Sequence, residues 1–215
     1  MLMTNDYLTL FLLYFTSFIT LMNPLGVMPL FLAMTSDLSR RQQRATAVKA
    51  LITAFFTLVL FAFAGQLLFR FFGISVAGLK VVGGVLFFIM GFDMLNARVS
   101  RLKTTSKNVK KYVDDISVTP LGIPMIAGPG SITNAIVLMD QSQDSITKLL
   151  LISSILVVCV TVLIVLLSGA KIIRFLGDTG NKVMMKLMGL IVMVIAVEFF
   201  FTGIEPYVQA ILKIP

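Results

Sequence analysis

Hydrophobic positions run along this chain in long blocks separated by short polar segments. Residues 7–36 and 116–139 carry no charge, and neither do 50–69 and 149–170. A helix needs about 20 apolar residues to cross a bilayer, so each block is long enough. Six spans follow, at roughly 7–34, 48–70, 78–97, 117–139, 148–170 and 183–204. The fold class expected is therefore an all-α polytopic membrane protein.

Two of these spans are interrupted where a membrane helix should be smooth. The first carries Asn23-Pro24-Leu25-Gly26 and then Pro29; the fourth carries Thr119-Pro120-Leu121-Gly122, Pro124 and Gly128-Pro129-Gly130. Proline removes a backbone donor and clashes with the preceding turn, so both helices should unwind at these points. A backbone group freed in hydrocarbon costs several kcal/mol unless protein or a watery cavity satisfies it. Broken helices at matching places in two halves of a chain point to a transporter's binding site. An unwound span is the expectation at each break, with a re-entrant hairpin as the alternative.

Composition agrees with the membrane reading. The chain has 215 residues, 58% hydrophobic and 13% charged, with a mean hydropathy of +0.98. Soluble domains sit nearer 25% charged. The net charge of +8 does not call for nucleic acid, because the basic residues cluster between spans. With the amino terminus outside, the inner loops hold Arg40, Arg41, Arg44, Arg98, Arg101, Lys103, Lys107, Lys110, Lys111, Lys171, Arg174 and Lys182. The outside holds only Arg70, Lys148 and Lys213. Twelve against three places both termini outside a cytoplasmic membrane. The first residues lack the basic start of a signal peptide, so the first span is expected to persist in the mature protein.

The two halves echo each other. Asn23-Pro24-Leu25-Gly26 matches Thr119-Pro120-Leu121-Gly122 at an offset of 96 residues. Lys80-Val81-Val82-Gly83 matches Lys186-Leu187-Met188-Gly189 at an offset of 106. The expected organisation is a three-helix repeat over 1–98, a basic cytoplasmic linker over 99–116, and a second repeat over 117–215. Three spans per repeat is an odd number, so the second repeat would enter the membrane inverted.

Candidate chemistry gathers at the breaks. A helix that restarts at mid-membrane presents free N–H groups and about half a positive charge to its surroundings, which suits an anion. Ser131 reads as the N-cap of one restarted helix, and Pro29 as part of the first turn of the other. Asn23, Thr119, Ser131, Thr133 and Asn134 supply neutral donors and acceptors beside Pro24, Gly26, Pro120, Gly122, Gly128 and Gly130. Together they form a candidate site for a small ligand with a carboxylate. Two proline kinks that only shape packing are the plainer alternative.

Glu198 lies within the sixth span, and an intramembrane carboxylate is a functional candidate by default. Desolvation favours the protonated carboxyl, so Glu198 is the candidate for proton coupling or for holding a ligand amine. Asp93 reads as a helix-end residue, and Lys80 and Lys186 as snorkelling residues. The chain has no His and one Cys, which excludes His metal sites and Ser-His-Asp triads. No enzyme activity, metal site or cofactor is expected.

Asn23-Pro24-Leu25-Gly26 with Pro29, Pro-Leu-Gly-Ile-Pro-Met-Ile-Ala-Gly-Pro-Gly-Ser over 120–131, and Met188-Gly189-Leu190 leading to Glu198-Phe199 and Thr202-Gly203-Ile204 resemble the MarC family of inner-membrane proteins. The likeness covers essentially the whole chain. It implies six spans and kinship with amino-acid exporters related to the lysine exporter, and one relative transports glycine and alanine with cation coupling. The resulting expectation is a secondary transporter, an exporter or proton-coupled carrier, of small neutral amino acids in a bacterial or archaeal inner membrane. Its partners would be the amino acid, the bilayer and, compatibly, further copies of itself. The alternatives are a channel or exporter for another solute or a metal cation, and a membrane scaffold without flux.

Overall fold

The computed structural model describes residues 4–36, 38–96 and 109–212. The described residues are helical with short connections and contain no strand. α1 (Thr4–Met22) and α2 (Pro24–Met34) form the first span, and α3 (Arg40–Phe72) and α4 (Val76–Leu95) follow. A short α5 (Val109–Ile116) leads into a wide-turned segment, Ser117–Ile126, then α6 (Pro129–Gln141) and α7 (Ser145–Leu212). Among the described residues, five stretches are long and apolar enough to cross a membrane. They become six when Lys110–Ile126 and Pro129–Gln141, bent by 62° at the second break, count as one span.

Local chemistry sets the helix ends. Ser39 and Gln42 close a capping box at the start of α3, satisfying two orphan donors at once. Gly73 ends α3 in the left-handed region at φ 63°, and Ile74 N–H returns to Phe69 O at 2.8 Å. Ser75 then caps α4 by accepting from Gly78 N–H at 2.8 Å, and its hydroxyl meets Tyr207 OH at 2.7 Å.

The core follows small residues rather than an apolar stripe, because both faces of these helices are apolar. α3 buries Ala47, Ala50, Ala54, Leu58, Ala62 and Gly65 along one side. α7 buries Leu151, Ile155, Val158, Val162 and Leu166. The opposite faces leave Phe56, Phe63, Leu67, Leu149 and Ile164 exposed, as lipid contact requires. α4 and the second half of α7 pack closely through glycines. A Cβ at Gly91 would stand 2.7 Å from Gly189 O, and one at Gly189 would stand 2.8 Å from Gly91 O. Small residues let membrane helices approach in this way.

Three sequence expectations change. The basic linker does not stay irregular throughout: its end forms α5, which buries Val113 and Ile116 against Leu38. Tyr112 OH donates to Met34 O at 3.0 Å, and Asp114 pairs with Lys49. The rest of the linker, with Arg98, Arg101, Lys103 and Lys107, lies outside the described residues. Residues 171–182 continue the helix of α7 where their polarity suggested a loop; the side chains of Lys171, Arg174 and Lys182 lie outside the described residues. The helix starts also move. α2 begins at Pro24 behind an Asn23 N-cap, which leaves Pro29 inside the helix. α6 begins at Pro129 behind Gly128, so Ser131 is not the cap. Proline is favoured at the first helical position because its fixed φ fits and its missing N–H is not needed there.

The Lys49–Asp114 pair is half-exposed on both sides, and such pairs contribute between zero and about 1 kcal/mol. Lys49→Met is therefore expected to lower stability by less than about 1 kcal/mol in a denaturation series. A larger loss would mean that α5 is held chiefly by this pair and not by its apolar side.

Candidate functional site

The first break is built by one residue. Asn23 adopts φ 40°, ψ 67°, a left-handed conformation that Asn tolerates better than other side chains. Its N–H still bonds Ile19 O at 3.1 Å, so α1 closes normally before the chain turns. Its Oδ1 accepts from Gly26 N–H at 3.2 Å and starts α2. A Cβ at Gly26 would stand 2.5 Å from Asn23 Nδ2, so a larger residue there would displace the capping side chain. Inside α2, Pro29 offers no N–H to the carbonyl of Leu25, one turn earlier.

The second break uses a wider turn. Thr119 and Ile123 leave helical geometry, each preceding a proline in a cis peptide bond. Ala127 N–H reaches back five residues to Gly122 O at 2.9 Å. α6 then starts without a side-chain cap, so the N–H groups of its first turn are free of any capping oxygen.

The two breaks meet at a cavity of about 200 Å³. Asn23 and Gly26 line it from the first break, and Met125 from the second. Phe87 and Met90 of α4 face Ile195 and Phe199 of α7 across it. The rings of Phe87 and Phe199 lie 6.0 Å apart, tilted by 34°. The start of α6 sits directly behind these rings. A Cβ at Gly128 would stand 2.7 Å from Phe87 Cζ, and one at Gly130 would stand 2.5 Å from Phe199 Cζ. The start of α2 thus lines this space, and the start of α6 lies behind its aromatic wall. The lining residues carry no charge, and Asn23 and Thr20 are the polar ones among them.

Of the residues singled out from sequence, Asn23 and Gly26 line the cavity, and Gly128 and Gly130 back it. Pro24 is half-buried at the first position of α2. Thr119 is exposed and Pro120 half-buried. Gly122 is buried against α3, where a Cβ would stand 3.0 Å from Thr53 Cβ. Ser131 is buried, and its hydroxyl donates to Ile126 O at 3.5 Å. Thr133 and Asn134 follow in α6, and Thr133 Oγ1 and Asn134 Nδ2 are buried without a hydrogen-bond partner. Glu198 is exposed and does not line the cavity. Sequence reasoning missed Phe87, Met90, Val192, Ile195 and Phe199. Their signal is the spacing of three and four residues, which puts each set on one helix face.

Comparison with known proteins places this chain among integral membrane proteins. Residues 8–208 match the MarC family of integral membrane proteins. A UPF0056 membrane protein of Pyrococcus abyssi is 35% identical over 200 residues, covering 93% of this chain and 96% of its own. One from Aquifex aeolicus is 31% identical over 203 residues, covering 94% and 95%. No solved structure matches. A multi-pass helical bundle with both proline-glycine breaks in place, matched over nearly its full length, belongs to the MarC family of integral membrane proteins.

Proposed function

We propose that this protein is a secondary transporter of small neutral amino acids such as glycine or alanine. The observation that carries the reading is the cavity where both broken spans meet, with the Asn23 amide on its wall and the uncapped start of α6 behind it. A carboxylate suits the partial positive charge at a helix start. The absence of a carboxylate among the lining residues favours this ligand over a bare metal cation, whose hard oxygen ligands are lacking there. About 200 Å³ suits a solute of a few heavy atoms with some water.

The proposal extends to architecture. Two inverted three-helix repeats, rocking against each other, would expose the cavity to alternate sides. The antiparallel packing of α4 against the second half of α7, the third spans of the two repeats, supports this arrangement. The excess of basic residues on one side supports termini outside an inner membrane. The reading is a carrier and not an enzyme.

Uptake of labelled glycine and alanine into proteoliposomes, with and without an imposed pH gradient, tests the proposal. Saturable, gradient-stimulated uptake is expected, and no uptake of either would discard the substrate class. The candidate for proton coupling is Glu198, on the grounds that it is a carboxylate within the sixth span, although it lies outside the cavity. Glu198→Gln is expected to abolish gradient stimulation while leaving the protein folded. Unchanged stimulation in that variant would move the coupling elsewhere.

A further inference from the structure

A second concavity lies away from the breaks, at the end of the bundle where the basic residues gather. It measures about 220 Å³. Phe31 and Leu32 of α2 and Leu166 and Leu167 of α7 form its apolar walls, and Arg40 and Arg44 of α3 form its rim. Three spans end together here: Tyr7–Met34 and Ser145–Gly169 finish, and Arg40–Phe72 begins. The groove therefore straddles the boundary where hydrocarbon gives way to water.

The two arginines are one helical turn apart and share a face. Both are exposed, and among the described residues neither has an ion pair or hydrogen bond. Asp114, the acid that reaches α3 from α5, is paired to Lys49 instead. The first turn of α3 adds its own partial positive charge beside them. Gln43 fixes the floor, its Nε2 donating to Thr35 O at 2.8 Å. Two guanidinium groups without a partner among the described residues thus lie beside an apolar wall at the end of the spans.

We propose that this groove binds the phosphate headgroup of an anionic phospholipid. The planar guanidinium fork matches phosphate oxygens in a bidentate way. Basic pockets between membrane helices at the cytoplasmic surface suit such headgroups. The acyl chains would run along Leu166, Leu167 and Phe31. A free phosphate ion would meet the same arginines but gain nothing from that wall, which is why the lipid is the assigned occupant. The site is independent of the transport reading.

The test is lipid retention by the intact protein, purified from vesicles of phosphatidylglycerol and phosphatidylcholine and read by native mass spectrometry. Phosphatidylglycerol should be retained preferentially, and retention should fall about fivefold for each arginine removed in Arg40→Gln and Arg44→Gln. Both side chains are exposed, so the variants should fold; each single variant is read alone if the double variant is lost in purification. Lys110→Gln with Lys111→Gln, two exposed cations outside the groove, should leave retention unchanged. Undiminished retention in the arginine variants overturns the proposal. An equal loss in the lysine variant also overturns it, since the attraction would then be diffuse. So does inorganic phosphate that protects the protein from thermal unfolding as well as phosphatidylglycerol does, through the same arginines.

Discussion

Gly91→Val should lower the melting temperature of the detergent-solubilised protein by on the order of 5–10 °C. A Cβ at this position would stand 2.7 Å from Gly189 O and 2.6 Å from Met193 Cγ. Met193 can turn aside, but the carbonyl is backbone and moves only with its helix. Overpacking of this kind costs about 1–3 kcal/mol, and a rigid wall puts it at the upper end. Removing glycine from a helix returns at most about 1 kcal/mol, too little to offset the clash. Gly73→Ala makes the contrast. Nothing lies within 4 Å of a Cβ there, but φ is +63°, so its cost is left-handed strain of about 1–2 kcal/mol. A melting temperature for Gly91→Val equal to that of the parent would mean that α4 and α7 do not pack at this distance.

The second large effect is expected at Asn23, where two substitutions separate shape from recognition. Asn23→Ala loses the cap of α2, worth about 1 kcal/mol. It also forces a left-handed residue without the polar side chain that tolerates it, at about 1–2 kcal/mol more. Asn23→Gly takes positive φ freely and costs only a few tenths of a kcal/mol as an N-cap. Both remove the amide from the cavity wall. A hydrogen bond to a charged ligand is worth about 1.5–3 kcal/mol, so uptake by Asn23→Gly should fall roughly 10- to 100-fold while its melting temperature barely moves. Uptake within twofold of the parent would leave Asn23 as a cap and nothing more.

These two positions also show what could be read from the chain before its structure. The membrane class, the places of the breaks and most of the spans were legible, because length, charge and proline placement act locally. The helix starts are less legible: the sequence offers Pro29 and Ser131 as entry residues, whereas Pro24 and Pro129 hold the first positions. When several helix-starting residues lie close together, packing chooses among them. The cavity was half legible. Asn23, Gly26, Gly128 and Gly130 stood out as breakers, but Phe87 and Phe199 look like any other phenylalanine in an apolar span. Only the crossing of α4 and α7 brings them together, and nothing local encodes that crossing. Glu198 is the reverse case, since its charge stands out in sequence but its exposure depends on which way α7 is turned.

The Gly91–Gly189 contact has a genetic consequence. In most packed cores a residue that is too large can be accommodated by a smaller one opposite. Here the unyielding atoms opposite are main chain on both sides, Gly189 O and Gly91 O, and trimming Met193 would leave them in place. A search for suppressors of a bulky substitution at either position should return none at the other. Relief would have to come from changes that re-set the spacing of the helices further along, around Gly84 or Gly203, whose added Cβ would also meet the facing backbone, at 2.7 and 2.8 Å. The seam behaves as one inherited unit, in which no member can vary by private arrangement with its neighbour.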